Sequence, residues 1–243
     1  MAIPVQAAPT FRCKLPSTGK EVRYRPYTVR EEKILLIALE GQEEKEIADA
    51  IKQVVKNCLV DSDVDVDNLP IYDFEYLMLK IRCKSAEEKI QIKFKGRETE
   101  CPHCKKDKII EVDLNEVEVE STPGHKNKIV LRDDLGLIMR HPTVKDSAKY
   151  SLGGKASEKL DVMIDLTVDC IETIFDDQKL YPARDFTREE LKDFVDGLTQ
   201  KQMKEIEIFF DTAPVLRKVL DLGCVECGHK ETYTLQRLHD FFE

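Results

Sequence analysis

Apolar and polar residues alternate with period two in Phe11-Arg-Cys-Lys-Leu15 and again in Glu21-Val-Arg-Tyr-Arg25, with Pro16-Ser-Thr-Gly19 between them. This pattern predicts a β-hairpin. Pro26-Tyr27 closes the second strand, and Thr28-Val-Arg-Glu31 has the form of a capping box, so a helix is predicted from there to Gly41, a residue suited to the left-handed position past a helix end. On it Ile34, Leu35, Ala38 and Leu39 share one face. A second helix is predicted from about Glu43 to Leu59, where Ile47, Ala50, Ile51, Val54, Val55 and Cys58 recur at helical spacing. Leu69-Pro70 opens a third, whose Phe74, Leu77, Met78 and Ile81 form the apolar face.

From Lys89 the period returns to two through Ile90, Ile92 and Phe94, then comes a cysteine pair, and strand-like segments follow through Ile109, Val112, Leu114, Val117 and Val119. Lys128-Ile-Val-Leu131 and Leu135-Gly-Leu-Ile-Met139 predict a further hairpin around Asp133-Asp134. Residues 142–155 are polar and predict a loop or short helix, and 157–213 read as helical, with one helix from Leu160 to Ile174. Thr187-Arg-Glu-Glu190 and Thr199-Gln-Lys-Gln202 mark two more helix starts, separated by Gly197. Val215, Leu216, Val219 and Leu222 lead into a second cysteine pair. Glu231-Thr-Tyr-Thr-Leu235 leaves it as a strand, and Gln236 to Phe242 is predicted as a short closing helix.

The cysteines carry the clearest chemistry. Cys13, Cys58, Cys83 and Cys170 stand singly inside apolar patterns and read as small packing residues, whereas Cys101-Pro-His-Cys104 and Cys224-Val-Glu-Cys227 are Cys-x-x-Cys pairs. The tight turn inside such a pair points both thiolates at one ion, and two pairs complete the tetrahedral shell of a structural zinc. Each pair sits in a strand, knuckle, strand setting, and Gly228 after the second permits the left-handed turn of a zinc ribbon. The 119 residues from 105 to 223 separate the pairs, so one shared ion would close a very long loop and couple metal binding to folding. Four thiolates leave no open position for water, which argues against a catalytic zinc. His103 and His229 beside the knuckles read as bystanders to the four cysteines.

No other motif points to catalysis. Gly153-Gly154 lacks the lysine pattern of a phosphate loop, and no Gly-x-Ser-x-Gly elbow is present. His125, His141 and His239 stand apart from any Ser or Cys motif. The acidic run 61–67 lacks the mid-loop glycine and terminal glutamate of a calcium loop. Lysine and arginine number 38 against 47 aspartates and glutamates, a net charge of −9 that disfavours broad nucleic-acid binding. No apolar run reaches the roughly 20 residues of a membrane span, and the first residues lack a signal-peptide pattern, so a soluble chain without a membrane role is expected. Basic and aromatic residues do interleave at Tyr24, Arg25, Tyr27 and Arg30, which reads either as a plain hairpin surface or as a candidate contact for a nucleic acid or an acidic protein partner, the net charge favouring the protein.

The N-terminal third resembles the T4-like bacteriophage baseplate protein family. The resemblance rests on Leu15-Pro-Ser-Thr-Gly19, on residues 24–33 running into Ile34-Leu-Leu-Ile-Ala-Leu-Glu40, and on Leu69-Pro70 before Asp73-Phe-Glu-Tyr-Leu77 and Ile81-Arg-Cys-Lys-Ser85. It implies a non-enzymatic hub subunit or hub-assembly protein that contacts other baseplate hub and tail proteins. It also implies assembly in the host cytoplasm, with the chain either retained in the virion tail or acting only as an assembly chaperone. The ribbon cysteines are read from spacing and are not part of that resemblance.

Together these readings predict an α+β chain: an N-terminal hairpin with three helices over 1–88, the first half of a zinc-ribbon-like β region over 89–142, a helical insertion over 143–213, and the second knuckle, strand and closing helix over 214–243. The competing reading is a zinc-ribbon protein associated with nucleic acid or transcription, which predicts salt-sensitive binding to DNA or RNA.

Overall fold

The computed structural model describes residues 8–61, 63–93, 109–150, 156–221, 227–230 and 232–241. In chain order these form β1 (Phe11–Lys14), β2 (Glu21–Tyr24), α1 (Val29–Gly41), α2 (Glu44–Cys58), α3 (Ile71–Ser85), β3 (Lys89–Lys93), β4 (Ile109–Asp113), β5 (Glu118–Glu120), β6 (Lys128–Arg132), β7 (Leu135–Met139), α4 (Val144–Ser147), α5 (Ala156–Cys170), β8 (Ile171–Asp176), β9 (Leu180–Pro182), α6 (Arg188–Asp196), α7 (Gln200–Asp211), β10 (Val215–Asp221) and β11 (Thr232–Gln236). The strands pair antiparallel throughout, and the chain is α+β. It divides into two units: one gathers residues up to Val66, Tyr72–Glu120 and the segment from Val215 onward, and the other gathers Asp67–Ile71 with Ser121–Pro214.

In the first unit, β1 and β2 pair from Phe11↔Tyr24 to Lys14↔Glu21, the hairpin that the alternation predicts. Two elements hold it. The end of α2 runs beside β2, where the Arg25 N–H donates to the Cys58 carbonyl at 2.8 Å and the Val60 N–H to the Arg23 carbonyl at 3.0 Å. At the turn, Asp73 on α3 is completely buried and accepts from the Ser17 N–H at 2.9 Å and from the Ser17 hydroxyl. Burial pushes the Asp73 carboxyl above its ordinary value, against the opposing pull of the Ser17 hydrogen bonds. Leu77, Met78, Leu79 and Ile81 of α3 have no exposed surface, so this helix is apolar on more than the single face that its periodicity suggests.

The capping box of α1 is formed, with the Glu31 carboxylate accepting from the Thr28 N–H at 2.7 Å and from the Thr28 hydroxyl. The helix end differs from expectation. Gly41 remains helical, and Gln42 takes the left-handed conformation at φ 57°, its N–H donating to Leu39.

In the second unit, β6, β7, β8 and β9 form one sheet in that order. Ile129, Leu137, Met139, Ile171, Ile206 and Phe209 are among the residues of its core, to which α5, α6 and α7 contribute. The hairpin β6–β7, grouped from sequence with the first half of the ribbon, therefore pairs onward to β8. Its Gly136 is obligatory: a Cβ there would lie 2.2 Å from Cζ of Phe175 and 2.5 Å from the Ile129 carbonyl oxygen.

The helix predicted from Leu160 to Ile174 is corrected. It stops at Cys170, and Ile171-Glu-Thr-Ile-Phe-Asp176 is strand β8, because β-branched residues and alternation suit the open edge of β7 better than another helical turn. The boxes Thr187/Glu190 and Thr199/Gln202 are formed at the starts of α6 and α7. A third, Thr143/Asp146, starts the single turn α4 inside the polar stretch read as loop or short helix. The C-terminal helix expected from Gln236 is reduced, among the described residues, to a 3-10 turn at His239–Phe241, because Gln236 still belongs to β11.

Candidate functional site

Two hairpins of the first unit flank the cysteine pairs along the sequence. β3 and β4 pair from Lys89↔Asp113 to Lys93↔Ile109, which leaves 94–108 between them, and Cys101, His103 and Cys104 of that interval lie outside the described residues. β10 and β11 pair from Arg217↔Gln236 to Asp221↔Thr232, and β5 lies on the other edge of β10. Cys224 also lies outside the described residues. Cys227 is exposed, Gly228 follows in the left-handed conformation at φ 71°, and His229 is half-buried. Among the described residues no group of three or more metal-ligating side chains is present.

Three of the four lone cysteines, Cys58, Cys83 and Cys170, are buried, and Cys13 is half-buried on β1. Burial raises the Cys58 thiol to about 11 and Cys170 to about 12, so both stay protonated and behave as small apolar groups.

The residues singled out as a partner surface occupy different environments. Tyr24 is only 3% exposed and packs beside Phe11, ring centroids 6.0 Å apart, so it is a core residue. Alternation places it on the inward face of β2 with Val22, whereas the notion of a basic, aromatic patch treats neighbours in sequence as neighbours on a surface. Arg25 is tied to Glu31 at 2.9 Å, and this contact, with the Thr28 hydrogen bonds and against the effect of burial, holds the Glu31 carboxyl down at about 2. Tyr27 is half-buried, and its N–H donates to the Ser85 hydroxyl at 2.8 Å. Arg30 alone of the four is exposed.

Two polar groupings in the second unit were not legible as sites. His125 and His141, dispersed in sequence, stack at 5.1 Å with Nε2 atoms 2.9 Å apart, and both stack on Phe209. The Thr212 hydroxyl donates to the Ile208 carbonyl at 2.6 Å, so it accepts from Nδ1 of His125 at 2.9 Å. Nε2 of neutral His125 is then an acceptor, and Nε2–H of His141 donates to it. Burial, with the neighbouring His125 charge as a second cause, lowers His141 to about 4, and burial also lowers His125.

The other grouping centres on Asp169, which accepts from Lys149 Nζ at 2.7 Å, from the Tyr150 hydroxyl at 2.8 Å and from Arg188. Burial alone would raise the Asp169 carboxyl, but these partners outweigh it and hold the group below its usual range. Every charge here is compensated, as in a structural network that ties α5 to α6. A signal did exist for its neighbour Asp146, since Thr143-Val-Lys-Asp146 is itself a capping-box spacing.

Clefts in the second unit are open and shallow in chemistry. One of about 380 Å³ lies between β6 and the start of α7, and one of about 410 Å³ is lined by Leu135, Ile174, Tyr181, Phe186 and Phe194.

Among the described residues, no helix is long and apolar enough to cross a membrane. No curated protein and no solved structure gives a match to the chain. A family model described as T4 bacteriophage base plate protein matches residues 8–243, which extends the resemblance read in the first third through both units. On that match, the chain belongs to the T4 bacteriophage base plate protein family.

Proposed function

We propose that this chain is a non-enzymatic structural or assembly protein of the contractile-tail baseplate hub, acting through contacts with other hub and tail proteins and stapled by a structural zinc. The family match over residues 8–243 carries the reading. The net charge of −9 favours a protein partner over a polynucleotide.

Cys101, Cys104, Cys224 and Cys227 would hold the zinc. Support comes from the donor set, from two antiparallel hairpins of one unit that each lead into a Cys-x-x-Cys pair, and from the left-handed Gly228 after the second. Four thiolates would complete the shell, so the ion supplies cross-linking between residue 104 and residue 224 and no reactive water. On the protein side, Arg30 is the exposed member of the proposed N-terminal contact surface, whereas Tyr24 is a core residue.

The test is co-purification. A tagged chain expressed together with the tail proteins should recover hub components, and mature virions probed for the chain would separate a resident subunit from an assembly factor. Recovery of no tail protein, or salt-sensitive retention of DNA or RNA instead, would overturn the reading.

A further inference from the structure

The outward face of α1 carries Val29, Leu36 and Ile37, which the apolar face read from the sequence left out, and also Leu39, which that face included. Val29, Leu36, Ile37 and Leu39 are 80%, 54%, 58% and 55% exposed, while Glu31 and Ala38 on the opposite side are buried. Single exposed apolar side chains are ordinary, but Leu36, Ile37 and Leu39 lie within one turn of the helix and form a patch. At 100° per residue, Val29, Lys33, Leu36, Ile37 and Glu40 fall within a sector about 100° wide, with Leu39 about 60° outside it. Lys33 and Glu40 thus bracket Leu36 and Ile37, seven residues or about 10 Å apart along the axis. Among the described residues neither Lys33 nor Glu40 has an ion-pair partner in the chain.

This arrangement is complementary to itself. A twofold axis crossing the helix between Leu36 and Ile37 places each residue opposite one such that the two numbers add to 73. Leu36 then meets Ile37 and Lys33 meets Glu40, while the flanking charges Glu32 and Arg30 meet Gly41 and residue 43, at and past the helix end. A parallel pairing would instead set Lys33 against Lys33 and Glu40 against Glu40. We propose that α1 is a homodimerisation face, on which a second copy of this chain packs its own α1 antiparallel, with Lys33 beside Glu40 of the partner subunit and Leu36 against Ile37 of the partner subunit. The pairing does not depend on the assignment of the chain to the hub.

One helix face is small beside the roughly 800 Å² per partner of a standard interface, so a dissociation constant of about 10–100 µM is expected. Sedimentation equilibrium of the full chain from about 1 to 300 µM should show the mass rising from 28.0 kDa toward twice that value. Lys33→Glu should weaken association about tenfold, by placing like charges together twice, and the double exchange Lys33→Glu with Glu40→Lys should restore it. Leu36→Ser with Ile37→Ser should abolish it. These side chains are exposed, so circular dichroism should show each variant folded like the parent. A monomer at every concentration, a dimer indifferent to the Leu36 and Ile37 changes, or failure of the double exchange to restore the Lys33→Glu defect would overturn the proposal.

Discussion

Acidification should weaken the second unit through its histidine pair as pH falls from 6.5 to about 4. His141 titrates at about 4 in the folded chain and near 6.5 when unfolded. The native state therefore holds it neutral while the unfolded state takes up a proton. Above pH 6.5 both states are neutral and the group contributes no pH dependence. Between pH 6.5 and about 4 the unfolded state binds more protons, so stability falls as pH falls, and below about 4 the slope vanishes. A gap of about 2.5 pH units at about 1.4 kcal/mol per unit gives about 3 kcal/mol, and partial exposure of the ring trims this to about 2 kcal/mol. The hydrogen-bond pattern gives the same sign independently. Protonating Nε2 of His125 would turn an acceptor into a donor facing Nε2–H of His141 across 2.9 Å.

Because the two rings interact, they titrate as a pair, and the apparent values belong to the pair. The measurement is urea unfolding at pH 7, 6, 5 and 4.5, followed by circular dichroism since the chain has no tryptophan. His141→Phe keeps a ring against Phe209 and removes the titrating group. Its loss between pH 7 and 4.5 should be smaller than the parent's by about 2 kcal/mol. Parallel pH profiles for parent and variant would refute the reasoning.

Other perturbations read different parts of the molecule. Tyr24→Ala should cost about 3–4 kcal/mol, as a buried aromatic does, and Tyr24→Phe no more than about 1, while Arg30→Glu should stay within about 0.5; urea midpoints for the three separate a core tyrosine from a surface arginine. Glu31→Gln should cost about 1–2 kcal/mol at pH 7 by weakening the contact with Arg25. Glu31 titrates at about 2 when folded against 4.5 unfolded, so its contribution is complete above pH 4.5 and is lost as pH falls to about 2; the variant should lack that acid-induced loss. Purified protein should contain about one equivalent of zinc, released by a chelator with loss of stability, and serine at Cys101 or Cys224 should lower the zinc content; metal-free protein from zinc-replete cells would count against the four-thiolate site.

Local signals survived into the structure wherever the competing interactions were also local. The capping boxes at Thr28, Thr187 and Thr199 are formed because donor and acceptor lie three residues apart and need no tertiary partner. The hairpins at 11–24 and 128–139 follow from alternation joined by a turn. The segment after Cys170 is where this failed. Helical spacing continued into Ile174, but β7 offered an open edge and Ile171–Asp176 paired with it. The same limit affected Tyr24, whose neighbours in sequence are basic but whose neighbours in space are Phe11 and the interior.

By itself, then, the sequence determined the α+β composition, most helix starts, the two Cys-x-x-Cys pairs and the family to which the chain belongs, because each depends on short-range pattern or on ordered motifs. Only the tertiary structure decided that β6 and β7 continue into β8, that His125 meets His141, that Asp169 gathers Lys149, Tyr150 and Arg188, and that Leu36 and Ile37 face outward. Those outcomes depend on which distant segments share a core. Such choices are made by burial and hydrogen-bond satisfaction across tens of residues, and periodicity along the chain carries no record of them.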